Sequence, residues 1–122
     1  MTKETLLHRQ VNPNWIQNGE PSSQVFAPTP KDDKKLSVYD GDQISAEESW
    51  KHFTNVLGLS SKGTLAITVL ECDEESLSAM SDPQTFKEHV LVDFSDNSQS
   101  QIKNKAKKLK KKALDRGWQY KA

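Results

Sequence analysis

The chain has 122 residues, 34% apolar and 28% charged, and its 17 basic side chains balance 17 acidic ones. A chain of this length fits one domain that buries roughly two thirds of its unfolded surface, so it needs no disulfide or structural metal. The low apolar share predicts a small core and long polar loops.

Cys72 is the only cysteine, which excludes a disulfide framework and multi-cysteine zinc or iron–sulfur sites. The opening MTKETLLHRQ lacks the apolar run of a signal peptide. No stretch approaches the ~20 apolar residues of a membrane helix. The expectation is a cytoplasmic protein with no membrane partner, no metal and no cofactor. Its single domain would span 1–122, with a compact part at about 5–95 and a basic helix at about 99–116.

Residues 5–11, TLLHRQV, alternate as a strand, with Leu7, Arg9 and Val11 on one face and Leu6, His8 and Gln10 on the other. Asn-Pro, Asn-Gly and Pro-Ser chemistry makes NPNWIQNGEPSS a loop in which Trp15 and Ile16 fold back as anchors. SQVFA at 23–27 predicts a second strand, stopped by the prolines that follow. KLSVY at 35–39 predicts a third, ending at Asp40, Gly41 and Asp42.

Ser45 and Glu48 have capping-box spacing, and Ala46, Trp50, Phe53 and Leu57 recur on one helical face before Gly58, so a helix is expected over 46–57. GTLAITVLEC at 63–72 reads as a central strand, and DEESLSAM as a short acidic helix from Asp73 to the Asp82-Pro83 break. EHVLVDF at 88–94 alternates with Val90, Val92 and Phe94 inward. A second capping box, Ser98 and Gln101, opens a stripe of Ile102, Ala106, Leu109 and Ala113 that Gly117 closes. This order predicts an α+β fold: a mixed or antiparallel sheet of about five strands, helices mainly on one face, and a lysine-rich last helix.

The neutral total hides an asymmetry. Residues 101–122 carry +8 and the rest of the chain −8. On the last helix Lys107, Lys108 and Lys111 point most directly away from the apolar stripe, while Lys103, Lys105, Lys110 and Lys112 flank it. Such a face can neutralise phosphates or an acidic protein surface, or it can serve only solvation and the helix dipole. No zinc-finger spacing, RNP aromatic pair or GXXG loop accompanies it. Trp118 and Tyr120 read as helix-end anchors.

His8 and Arg9 on the first strand, with Ser22 and Ser23 on the next, form an alternative nucleotide-binding set, because guanidinium matches phosphate oxygens and a hydroxyl can hold a ribose. This opening, residues 6 to 26, resembles that of ADP-ribosyltransferase-like folds, a likeness that implies a small nucleotide-handling enzyme using Arg9 and Ser23. His52 and His89 read as surface histidines, and Cys72 as a small buried side chain. There is no G-x-S-x-G, Walker or Rossmann pattern.

The run LLHRQVNPNWIQNG, SSQVFAPTPKD, KLSVYDGD and EHVLVDF resembles a family of small, uncharacterised bacterial proteins over about residues 6–94. That resemblance implies a bacterial or phage setting and transfers no activity. The leading expectation is a non-enzymatic accessory module of a cytoplasmic complex, applying its basic helix to a nucleic acid or acidic partner.

Overall fold

In a computed structural model of the protein, residues Met1 to Ala122 are described, apart from the side chain of Pro30. The fold is α+β. A six-stranded antiparallel sheet has the order β6-β7-β4-β1-β5-β8, built from β1 (Leu6–Gln10), β4 (Lys35–Asp40), β5 (Gly63–Thr68), β6 (Ser78–Ser81), β7 (His89–Asp93) and β8 (Tyr120–Lys121). β2 (Ile16–Gln17) and β3 (Glu20–Pro21) form a separate two-stranded hairpin. The helices are α1 (Ala46–Lys51), α2 (Val69–Glu74) and α3 (Gln99–Arg116).

The alternation of the strands decides the layers. Leu7, Leu36, Val38, Leu65, Ile67, Val90 and Val92 share one sheet face and meet Ile102, Ala106, Leu109 and Ala113 of α3 in one core. Both capping partners of the Ser98 box are in place, and Gly117 takes φ 92°, a conformation that disfavours any side chain, to let Trp118 turn back onto the core. The Arg116 guanidinium then forks onto Glu71 of α2 at 2.9 and 3.1 Å, fixing the end of α3 to the body. The opposite face carries His8, Gln10, Tyr39, Thr64 and His89, and α1 covers part of it through Ser49, which accepts from Gln10 Nε2 at 2.9 Å. The long α3 and, through Cys72, α2 share the core face, and the shorter α1 lies on the other.

Three expectations are corrected. Residues Ser23–Phe26 form a 3₁₀ turn and not a strand: Val25 N donates to Ser22 O and Ala27 N to Gln24 O, both at 3.2 Å, so the backbone closes on itself three residues back while Val25 and Phe26 fill the core. The strand at 63–72 ends at Thr68, whose hydroxyl and Glu71 make a capping box that starts α2 four residues before Asp73. Residues 78–81, expected as helix, pair with β7. The helix at 46–57 also changes character: after Lys51 it widens into a π turn over His52–Val56, with Leu57 N donating to His52 O at 3.0 Å. Such widenings are rare and concentrate at functional sites.

Candidate functional site

The lysines of α3 do not fold back onto the acidic body as a group. Lys108 reaches Glu75 at 3.6 Å and Lys111 pairs with Asp115 on its own helix at 3.2 Å. Lys103, Lys107, Lys110 and Lys112 make no ion pair among the described residues.

One flank of α3 faces the segment from Gln17 to Pro28, and between them runs a groove of contiguous depressions. The first is lined by Lys107, Lys110, Lys111, Asp115 and Ser23; the second by Asn18, Ser22, Ser23 and Lys110; the third by Ser23, Gln24, Lys103 and Ala106. A fourth continues past Gln24 and Ala27 to Trp15. Helical rise sets Lys103, Lys107 and Lys111 in a row of ~6 Å steps along one wall, with hydroxyl and amide side chains and the carboxylate of Glu20 on the other. The Ser22 hydroxyl is buried without a hydrogen-bond partner among the described residues.

The alternative set His8, Arg9, Ser22 and Ser23 is split between two places. Ser22 and Ser23 join the lysine groove. His8 lies buried on the α1 face, where burial lowers its pKa against the opposing pull of Asp40. Arg9 inserts where β1 and β4 part: its Nε donates to Val25 O at 2.7 Å and its Nη1 to Ser37 O at 2.9 Å, and the guanidinium lies over the Trp15 ring. Burial lowers Arg9 to about 10, with Asp32 opposing, so it stays cationic at neutral pH.

Trp118 and Tyr120 act as anchors: Trp118 packs on the core and Tyr120 on Trp50, with ring centroids 5.3 Å apart. Cys72 is fully buried, and burial first, then Asp73 and Glu71, pushes its thiol up to about 12.

His89 and His52 are not surface histidines. His89 is 6% exposed, and His52 is half-buried, with Nδ1 2.8 Å from the Tyr39 hydroxyl. They join Tyr39 and Phe86 in a cluster of rings with centroids 4.7 to 5.6 Å apart. The cluster walls a cleft of about 280 Å³, closed on the other side by Phe53, Leu57 and Leu59. Val56, Leu57 and Leu59, at the π turn and just beyond it, stay exposed at 70%, 42% and 52%.

At the cleft floor His89 Nε2 lies 3.1 Å from Ser37 Oγ, and its Nδ1 lies 2.8 Å from Asp82 Oδ2, which also accepts from Thr85 Oγ1 at 2.6 Å. Those hydrogen bonds, Thr85 first and His89 second, hold the Asp82 carboxyl below its usual range. Sequence reading passed over Ser37 and Asp82, since no motif links residues on β4, the β6–β7 loop and β7. The one available signal was His89 on the polar side of an otherwise apolar strand.

Among the described residues no three His, Cys, Asp or Glu side chains are placed to hold a metal ion. His8 and His89 both sit beside Tyr39 in register, with β4 between their strands. No helix among the described residues is long and apolar enough to cross a membrane. No protein-family model, curated protein or solved structure matches the chain.

Proposed function

We propose that the protein is an accessory module of the bacterial cytoplasm that binds single-stranded nucleic acid along the groove between α3 and residues 17–28. The observation that carries this reading is the continuity of the groove through Ser23 and Lys110, with Lys103, Lys107 and Lys110 in no ion pair among the described residues, in a chain whose total charge is zero. In this reading phosphates lie on Lys103, Lys107, Lys110 and Lys111, and Ser23 and Asn18 face the sugars. A concave channel suits one strand better than a duplex, whose paired phosphate rows need a broad surface. Trp15 at the channel's end offers a face on which a base can stack. The alternative built on Arg9 and Ser23 has less support, because the Arg9 donors are directed to Val25 and Ser37 carbonyls.

Fluorescence anisotropy with labelled single-stranded RNA and DNA, at several salt concentrations, tests the reading. Three to four phosphate contacts at ~0.7 each predict a log–log salt slope of about −2 to −3. Absence of binding at low salt overturns it. Binding of an acidic polypeptide but not of either nucleic acid would assign the groove to a protein partner instead.

A further inference from the structure

We propose that the apolar cleft is a second site, which hydrolyses small carboxylic esters with Ser37 as nucleophile, His89 as general base and Asp82 as the carboxylate that positions His89. The proposal is independent of the α3 groove.

Three observations converge on it. The first is the relay itself. A carboxylate only accepts, so the 2.8 Å bond to Asp82 puts the imidazole proton on Nδ1 and leaves the Nε2 lone pair facing the Ser37 hydroxyl at 3.1 Å. Serine, imidazole and carboxylate in this order are recognised by geometry and role, on any fold. Thr85 holds the same carboxylate oxygen, so the orienting group is itself oriented. Ser37 is exposed while His89 is nearly buried, which leaves the nucleophile open to a substrate and the base fixed.

The second observation concerns the backbone. Asp40 N donates to Glu88 O and Phe94 N to Lys34 O, so even-numbered residues of β4 bond toward β7 and Ser37 turns its N–H and C=O toward β1. The β1–β4 ladder ends at the pair His8 and Tyr39, two residues short of Ser37. Its carbonyl takes the Arg9 guanidinium instead, and its amide is left without a partner strand. Where the strands part, Ser37 therefore turns its own N–H to a side on which no strand of the sheet is in register with it, and a nucleophile's own N–H is a donor of the kind that stabilises a developing oxyanion.

The third is the container. Its walls are Phe53, Leu57, Leu59 and Phe86, and its volume of about 280 Å³ falls just below the ~300 Å³ at which sites for drug-sized ligands begin. A short-chain acyl group or a single aromatic ring fits such a space, and a polymer does not.

The chemistry balances with water as the only co-reactant. Ser37 Oγ bonds to the acyl carbon as its proton moves to His89 Nε2, and the carbonyl electron pair shifts to the oxygen. Collapse breaks the bond to the leaving alcohol, whose oxygen takes the proton back from Nε2. Water then adds to the acyl-Ser37 ester as His89 removes its proton, and a second collapse releases the carboxylic acid and returns the proton to Oγ.

The full chain should hydrolyse p-nitrophenyl acetate and butyrate at least 10²-fold faster than the buffer blank, and a fluorophosphonate should label Ser37, located by peptide mass spectrometry. Activated esters also acylate lysines, so the labelled position decides and not total release. Ser37→Ala and His89→Gln should return turnover to background, and Ser37→Ala should abolish labelling at that peptide. Turnover that survives Ser37→Ala, or a fluorophosphonate that leaves Ser37 unmodified in the folded protein, overturns the proposal.

Discussion

The groove beside α3 and the cleft beneath the π turn differ in how they are assembled and in the medium they offer a ligand. The groove is written largely in one helix: its cations sit on long side chains at water-exposed positions, where salt screens them and each contributes separately. The cleft gathers residues from β4, the β6–β7 loop, β7 and the π turn into an apolar recess that holds one hydroxyl and one imidazole, and the partly exposed Asp82 carboxylate bonds that imidazole from outside the lining. Charge in the open attracts at a distance and tolerates substitution. A hydrogen-bonded relay between apolar walls is stronger per contact and fails when one member is lost.

The sharpest break of that comparison is Asp82→Asn. It should lower ester kcat by roughly 10²- to 10⁴-fold with KM little changed, because an amide orients the imidazole in the wrong tautomer, while leaving nucleic-acid affinity intact. A matching loss of KM and kcat would mean that Asp82 only holds the loop. The same variant has a signature in stability. The Asp82 carboxyl is depressed in the folded protein, so the stability it contributes is present above the unfolded carboxyl pKa of ~3.9 and is lost as pH falls through the lower folded value. The wild-type Tm should therefore drop more steeply than that of the variant below about pH 4.

Leu109→Ala tests what the two sites share. Leu109 is 1% exposed in the core under α3, and its truncation should cost about 2–5 kcal/mol. Urea unfolding followed by circular dichroism should show one shifted transition, at which strand binding and Ser37 labelling disappear together. Two separate transitions would mean that α3 detaches from a sheet that stays folded.

The triple change Lys107→Glu, Lys110→Glu and Lys111→Glu acts only on the groove. Affinity for a single strand should fall by ~10²-fold and the salt slope should flatten by about 2, at ~0.7 per lost contact, with ester turnover unchanged. The smallest effect concerns Cys72. With its thiol at about 12 and fully buried, it should resist iodoacetamide at pH 8 in the native protein and react fully in urea, as intact-mass spectrometry would show.

The legible parts of the fold were those with a local period. The α3 stripe, its capping box and the β7 alternation follow from spacing alone, and each is found where spacing puts it. The 3₁₀ turn at Ser23–Phe26 was misread because Val and Phe favour strands, whereas here tertiary packing buries two neighbours at once. The premature start of α2 turned on Thr68 and Glu71, a capping box hidden inside an apolar run.

The lysine groove was half visible, as a cluster of charge without its opposing wall. The cleft was not visible, since Ser37, Asp82 and His89 meet through sheet pairing and not through sequence proximity. Arg9 was read as a ligand group; its first role is to occupy the gap where two strands separate.

The sheet's outermost members are very short, four residues in β6 and two in β8. β8 holds its place through backbone bonds to Thr64 and Lys62 and through Trp118 and Tyr120. Those few residues pair with Gly63 and Thr64 at the start of β5, and Arg116 Nη1 donates to the Ala66 carbonyl further along the strand, whose Leu65, Ala66 and Ile67 are fully buried. Short, side-chain-pinned borders of this kind keep a sheet from recruiting a neighbour's backbone. A chain cut after Arg116 would uncover the Gly63–Thr64 end of the most apolar strand it has, and strand addition there would compete with the native fold.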